Sequence, residues 1–413
     1  MQPIPLILDQ HAEDAAINWI RRDEAVDAPH FSRVYLARLD ELLEAHVDGL
    51  RIAGDFGWEH AKEQWDLNGE AGEMFSIALL AFDQADNDKI EEVLGYLKGN
   101  LEDLYRPVIS ALGWLPLAKV EGILNAMLGS SRPTARLVGL GGCSVHRHDP
   151  GDAFVPLIDD PDAAVRARAA RLAAELGRAD LASAIFVQRP DDTDASRFWT
   201  YWAATMLGNR DEGPGYLLDC ALNRTGPDWE LAFRTGILAA GPDHGWQWLD
   251  HLPLDEHGIL LRITGFGLLG EVKSVDWLIS QMEGTDFGFQ AGEAYAMITG
   301  VDLAFDDLDT DPPEDYDPGP SDDPDDDDVA MDPNEDLPLP DPALVARHWA
   351  DLQPKLPEGR LYLGRERSPD SFEHGFQNAY QRQRRLAAFA LALSSEGAPL
   401  RNWQVPVMEP SLA

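Results

Sequence analysis

The stretch Asp160-Pro-Asp-Ala-Ala-Val-Arg-Ala-Arg-Ala-Ala-Arg-Leu-Ala-Ala-Glu-Leu-Gly177 decides how this chain folds. It predicts one α-helix, with Asp160 as the N-cap and Pro161 at the first helical position. Gly177 stands just past the predicted end, where glycine commonly ends a helix in a left-handed conformation. The residue composition and the residues at both ends of the stretch therefore both predict a short helix with defined ends.

The apolar residues of this stretch recur every three or four positions, which places them on one helical face. That face is mostly alanine, so a neighbouring helix must approach closely to cover it. A single helix of this kind cannot bury its apolar face. The stretch therefore predicts further, similar helices that pack against it. The face comprises Val165, Ala169, Leu172, Ala173 and Leu176, whereas Arg166, Arg168 and Arg171 are predicted to point away from it.

Leu-Gly pairs repeat along the middle of the chain as predicted helix ends. Their spacing is roughly 28 to 36 residues, which is typical of helical-hairpin repeats, and it predicts about six or seven units between residues 67 and 305. An irregular helical bundle remains the alternative. The pairs are Leu112-Gly113, Leu140-Gly141, Leu176-Gly177, Leu207-Gly208 and Leu269-Gly270, with the variants Ala240-Gly241 and Thr299-Gly300.

The stretch also resembles HEAT repeats of the short bacterial kind. The resemblance is carried by the Asp160-Pro-Asp start, the Val165-Arg166 pair and the Leu176-Gly177 end, whereas the other units match by period more than by motif. It implies an all-α fold, specifically a right-handed α-solenoid. In such a solenoid the second helix of each hairpin lines the concave face.

The chain is predicted to have four parts. Residues 1–66 form a helical N-terminal cap, 67–305 the HEAT-like repeats, 306–342 an acidic Pro/Asp-rich flexible loop and 343–413 a helical C-terminal cap. The loop carries many aspartates and prolines and no Lys or Arg, so it cannot bury enough apolar surface to offset its ordering entropy. The mildly basic last part is expected to fold back through Arg382, Arg384 and Arg385.

The net charge restricts the classes of partner that the chain is expected to bind. The formal net charge is -40, with a pI near 4.4, so the chain would be repelled by nucleic acid and by anionic membranes and attracted to basic proteins. It contains no apolar run long enough for a membrane span and no signal-peptide pattern at its N-terminus. Cys143 and Cys220 are the only cysteines, which gives no disulfide framework. We expect a cytoplasmic protein.

One cluster offers metal ligands, Cys143-Ser-Val-His146-Arg-His148-Asp149. A closed zinc site needs four ligands, and no matching pair stands elsewhere, so neither a metal nor a cofactor is predicted. No nucleophile, metalloprotease or phosphate-loop motif is present. The alternative function is a lyase-type HEAT enzyme that uses Cys143 and His146. Such an enzyme would lose activity on Cys143→Ser, whereas a scaffold would not.

Tryptophans are concentrated in consecutive predicted repeats. Large aromatic side chains in an acidic surface are suited to anchoring a basic protein, although for each tryptophan taken singly a place in the core is the more common one. The predicted partner-binding residues are Trp199, Trp229, Trp246, Trp248 and Trp277, together with the aspartate run Asp325, Asp326, Asp327 and Asp328.

Nearly the whole chain resembles a family of bacterial HEAT-repeat proteins encoded beside type VI secretion cargo and PAAR-like spike genes. This resemblance implies a stoichiometric binding role: an adaptor-chaperone for an effector or spike-tip protein, or an immunity protein that blocks a toxin. The residues that carry it are His11-Ala-Glu-Asp-Ala-Ala, Ala28-Pro-His-Phe, Leu39-Asp-Glu-Leu-Leu-Glu-Ala-His-Val-Asp-Gly-Leu-Arg-Ile-Ala-Gly54, Gly57-Trp58, Ile298-Thr-Gly-Val-Asp-Leu303, Gln381-Arg-Gln-Arg-Arg-Leu-Ala-Ala and Asn402-Trp403.

Overall fold

A computed structural model describes residues 4–187, 193–314, 316, 334 and 336–407. The described residues are overwhelmingly α-helical, which confirms the predicted all-α class. The β-structure in them is a small antiparallel hairpin of Leu361–Tyr362 and Arg365–Glu366, with a few isolated bridges. None of the described helices combines the length and apolar character needed to span a bilayer.

Packing divides the chain into two compact units. The first comprises residues 1–27, 31–207 and 396–413, and the second residues 28–30 and 208–395. The four parts predicted from the sequence follow a different criterion, and that division stays a prediction.

In the first unit, successive helices pack against one another in chain order. Helix α1 contacts α2, α3 and α4, and the row continues from α4 to α6, α8, α9 and α11. The unit contains α1 (Pro5–Ala25), α2 (Arg33–Ala53), α3 (Asp55–Asn68), α4 (Ala71–Gln84), α5 (Asn87–Tyr96), α6 (Leu101–Trp114), α7 (Leu117–Leu128), α8 (Pro133–His146), α9 (Ala163–Leu176), α10 (Ala182–Ile185) and α11 (Asp194–Met206).

The second unit has the same serial packing, from α12 through α13 and α14 to α16. Helix α13 breaks at Gly241, whose φ of 77° and ψ of 176° separate two helical pieces. The unit contains α12 (Gly213–Asn223), α13 (Trp229–Asp250), α14 (Glu256–Leu269), α15 (Val275–Ser280), α16 (Gly288–Thr299), α17 (Pro342–Leu352), β1 (Leu361–Tyr362), β2 (Arg365–Glu366), α18 (Pro369–Asn378) and α19 (Gln381–Ser394).

Helix α9 starts later than the sequence predicted. Its N-cap is Asp162, whose carboxylate accepts the amides of Ala164 and Val165, so the prediction of Asp160 as N-cap is wrong. Asp160 instead forms a buried ion pair with Arg136 at 2.8 Å. The Asp160 carboxylate also accepts the backbone amide of Asp162 at 2.9 Å, so it fixes the turn that precedes the helix. The predicted end is correct, because Gly177 adopts the left-handed conformation with φ of 72°.

The three arginines of α9, which were predicted to point away from the alanine-rich face, differ in burial. Arg166 and Arg168 are buried, and Arg171 is half-buried. Arg166 donates to the carbonyl of Asp160, and Arg168 lies 3.5 Å from the carboxylate of Glu175. Burial of a guanidinium is tolerated here because acceptors are close by.

Two of the predicted glycine ends are also wrong. Helix α6 continues through Gly113 to Trp114, and α8 runs through Gly141 to His146. A Cβ on Gly141 would overlap the Tyr105 hydroxyl and lie 2.5 Å from Ile109 Cγ2. These contacts lie between α8 and α6, so this glycine permits close helix packing rather than helix termination.

Extended segments cover helix C-termini in each unit. In the second unit, the amide of Leu361 donates to Gly270 O at 2.8 Å and that of Leu363 to Met297 O at 3.0 Å. In the first unit, the C-terminal tail (396–407) places the Leu400 amide 2.9 Å from Glu175 O. Because the last carbonyls of a helix have no partner within it, these segments satisfy groups that would otherwise need water.

Candidate protein-binding surface

The tryptophans of the second unit stand on short helical pieces beside the main row. Trp246 and Trp248 lie on α13 beyond the break at Gly241, and Trp277 lies on α15. All three are half-buried and pack on the core of the unit. Each indole is therefore anchored on one side and partly open to solvent.

Phe266 on α14 joins two of these rings into an aromatic row. Trp246 stacks on Phe266 with centroids 4.7 Å apart and an interplanar angle of 24°. Trp277 meets the same ring edge-on at 5.3 Å. Offset stacking and edge-to-face contacts of this kind fix aromatic side chains in place. We call Trp246, Phe266 and Trp277 the aromatic row.

Basic side chains of the same unit lie over both indoles of this row. Lys273 Nζ is 3.7 Å from the Trp246 ring centroid, and the Arg262 guanidinium is 5.8 Å from that of Trp277. The Lys273 side chain is 58% exposed, so this contact is at the surface. Neither contact was predicted from the sequence, because its two partners stand on different elements. The rings evidently accept cations.

Exposed carboxylates accompany the aromatic row on the same short helices. Asp243 and Asp250 are exposed on the second piece of α13, and Asp276 is exposed on α15. Asp276 also accepts the indole N–H of Trp349 at 3.1 Å. Carboxylates beside an aromatic row favour a partner that brings positive charge and apolar surface together.

The other predicted tryptophans have different surroundings. Trp229 is half-buried, contacts His257 edge-on at 5.2 Å and lies under Arg224. In the first unit, Trp199 is half-buried under Arg171, whose guanidinium is 4.5 Å from the ring. Its neighbour Trp202 is core, with 1% exposure. Only Trp246 and Trp277 share one row.

The other residues predicted to make contacts are the aspartate run and three arginines of α19, and the structure describes only the arginines. Asp325, Asp326, Asp327 and Asp328 lie outside the described residues. Arg382 pairs with Glu293 on α16 at 3.0 Å, and Arg384 is buried and donates to the Phe376 carbonyl. Arg385 is half-buried on the same helix. The first two arginines thus contact the helical body of their own unit.

In the cysteine cluster, burial controls the protonation of the Cys143 thiol and of the His146 imidazole. Cys143 is fully buried in α8, and burial raises the pKa of its thiol to about 12. The His146 imidazole donates through Nε2 to the Leu112 carbonyl at 2.9 Å, and burial lowers the pKa of this imidazole. A thiol that stays protonated at neutral pH is a poor nucleophile and a poor metal ligand.

Searches of protein-family models, curated proteins and solved structures found no match to this chain.

Proposed function

We propose that this chain is a non-catalytic protein-binding scaffold and that its partner is a basic protein. The aromatic row carries the proposal, because its two indoles are anchored on the core, half-open to solvent and accompanied by Asp243, Asp250 and Asp276 on the same short helices. Clustered aromatic side chains of this kind supply most of the binding energy at protein interfaces. The net charge of -40 supports a basic partner and would speed its association.

We further propose that the helices form a HEAT-like, right-handed α-solenoid. Support comes from the serial packing within each unit and from left-handed glycines at the ends of α9, α14 and α16. In a solenoid, each helix pair packs only on its neighbours and one face stays available for binding. The short pieces that carry Trp246 and Trp277 correspond to the second helices of their repeats.

The resemblance to HEAT-repeat proteins of type VI secretion clusters supports a particular class of partner. The proposed partner is a secreted effector or a spike-tip protein with a basic domain, bound in the cytoplasm. An adaptor-chaperone would hold this partner before loading, and an immunity protein would neutralise it. Both roles need a stoichiometric complex and no chemical step.

Co-expression with the tagged products of the neighbouring genes tests the proposal. We expect a basic product to co-purify at 1:1 stoichiometry and its affinity to fall as salt rises, because the charges at such a surface are screened. Trp246→Ala and Trp277→Ala should each weaken binding by about 10- to 100-fold, since truncating a central aromatic anchor costs roughly 2 kcal/mol or more. Isothermal titration calorimetry measures both effects.

Trp65→Ala is the matched control. Trp65 is half-buried in the first unit and packs on Tyr96 at 5.1 Å, whereas the aromatic row belongs to the second unit. It should leave partner affinity unchanged. Equal losses in all three variants would contradict a role for the aromatic row. Toxicity and secretion assays in a strain that lacks this chain then separate the two roles. If the partner becomes toxic to its own cell, the chain is an immunity protein. If one effector is no longer secreted while the cells survive, the chain is an adaptor.

A further inference from the structure

Trp246 already carries a cation from its own chain. Lys273 Nζ lies 3.7 Å from the centroid of this indole, within the roughly 6 Å over which an aromatic face attracts a positive charge. Phe266 stacks on the same indole and belongs to the core of the unit, so the ring is fixed in place. A position where a partner's cation could bind is therefore filled by a side chain of the chain itself.

A carboxylate contributes to the same position. Glu271 Oε2 lies 3.8 Å from Lys273 Nζ, and the Glu271 side chain is only 12% exposed. Its other oxygen, Oε1, lies 4.0 Å from Arg360 Nε. A carboxylate held largely out of water favours a positive charge beside it. The indole of Trp246 and the carboxylate of Glu271 therefore meet at one nitrogen, and we call this pair the cation site.

Lys273 is held loosely in the cation site. Its side chain is 58% exposed, and its 3.8 Å distance from Glu271 is longer than an N–H···O hydrogen bond, which spans about 2.7–3.2 Å. A cation–π contact at an exposed position changes an equilibrium by only about 2- to 5-fold. The ammonium stands on a flexible four-carbon stem, so it can leave the indole without any movement of the backbone.

The cation over the second indole of the aromatic row is held differently. Arg262, which lies over Trp277, donates through Nε to Leu249 O at 3.0 Å and through Nη2 to Leu252 O at 3.1 Å. These carbonyls stand at the end of α13 and just beyond it. An incoming cation could replace Arg262 only by breaking both hydrogen bonds. Of these two cations, Lys273 is therefore the exchangeable one.

We propose that the cation site receives an arginine side chain of the basic partner, which displaces Lys273. This inference rests on the proposed function and adds the chemical group that is recognised. A guanidinium is planar, stacks on an indole and can donate two hydrogen bonds to one carboxylate, whereas an ammonium is a compact and strongly hydrated charge. Lys273 thereby sets the specificity of the site, since a partner must bring a cation that binds there better than the lysine does.

Calorimetric titration of the full chain with a hexa-arginine peptide tests the cation site, at about 150 mM salt to screen long-range attraction. We expect Lys273→Ala to bind this peptide about 2- to 5-fold more tightly than Lys355→Ala does, because the competing ammonium is gone. Lys355 is exposed in the same unit, so Lys355→Ala is the control for the change in net charge. In a Trp246→Ala background, the same two substitutions should give equal affinities, because no indole is left to compete for.

Hexa-lysine distinguishes an arginine site from a site for any cation, and we expect it to gain less from Lys273→Ala than hexa-arginine does. Equal gains for the two peptides would overturn the proposal. So would a Lys273→Ala affinity for hexa-arginine no higher than that of Lys355→Ala, or a gain that persists without the Trp246 indole. These results do not depend on the natural partner: failure of every basic gene product to bind would contradict the proposed function and leave the peptide result in place.

Discussion

Replacing Glu175 with glutamine is expected to lower the free energy of unfolding by about 3 to 5 kcal/mol, because it removes a buried carboxylate that pairs with three arginines. Glu175 is 3% exposed. Its carboxylate lies 3.0 Å from Arg171, 3.5 Å from Arg168 and 3.8 Å from Arg147, and it accepts the hydroxyl of Ser144. Glutamine keeps the shape of the side chain and leaves these arginines without a counter-charge. Urea unfolding at pH 7 measures the loss.

The C-terminal tail should loosen in the same variant. Arg147 donates to the carbonyl of Leu400, and the Leu400 amide donates to the Glu175 carbonyl, so the buried ionic group and the tail share partners. Hydrogen exchange of residues 397–404 should therefore accelerate in Glu175→Gln. Glu91→Gln is the control, since Glu91 and its partner Arg132 are about half exposed and surface pairs contribute about 0–1 kcal/mol.

The effect should also depend on pH with a fixed sign. Burial by itself would raise the pKa of Glu175, but the charges of Arg168, Arg147 and Arg171 outweigh it and lower that pKa to about 2. A carboxylate whose pKa is depressed in the folded state stabilises the protein above its unfolded pKa of about 4.5. The stability difference between wild type and Glu175→Gln should shrink as pH falls from 5 towards 2. A difference that stays constant over this range would contradict the assignment.

Gly141→Val is expected to destabilise the first unit by about 3 kcal/mol, the upper range for overpacking a closed interface. The new side chain would enter space held by Tyr105 and Ile109 of α6. Tyr105 cannot yield freely, because its hydroxyl donates to Leu137 O at 2.9 Å and accepts from Arg168 at 3.2 Å. Moving this ring would therefore disturb the Glu175 arginines as well. Thermal unfolding measures the effect.

Gly122→Ala provides the opposite control. Gly122 is an exposed glycine inside α7, and a Cβ there would meet nothing within 4 Å. Alanine should stabilise the helix by about 0.5 to 1 kcal/mol, because glycine loses more backbone entropy on folding. If Gly141→Val and Gly122→Ala changed stability alike, close packing at Gly141 would not be the reason for its glycine.

Much of the fold was predictable from the spacing of apolar residues and from the glycines at helix ends. Gly177, Gly270 and Gly300, which were predicted to mark helix ends, each end a helix in the left-handed conformation. Gly113 and Gly141 misled the prediction because glycine has two uses. It ends helices, and it lets backbones approach. The spacing of glycines in the sequence does not distinguish these two uses. The residues of the neighbouring helix that face each glycine do distinguish them, and they are known only from the structure.

The candidate sites were predicted less completely, because their decisive contacts join distant positions. Spacing selected Trp246 and Trp277 but gave no sign that Phe266 joins them or that Lys273 covers Trp246. Nothing in the sequence indicated that Arg168 and Arg171 share Glu175 as a partner, because that depends on how the side chains are folded together.

The affinity of the full chain for a basic neighbouring-gene product, compared between wild type and the Trp246→Ala/Trp277→Ala double variant, tests the binding proposal most directly. We predict a 1:1 complex that the double variant weakens by about 100-fold or more and that Trp65→Ala leaves unchanged. A complex of undiminished affinity in the double variant would contradict the proposed surface. Failure of every basic product to bind the wild type would contradict the proposed function itself.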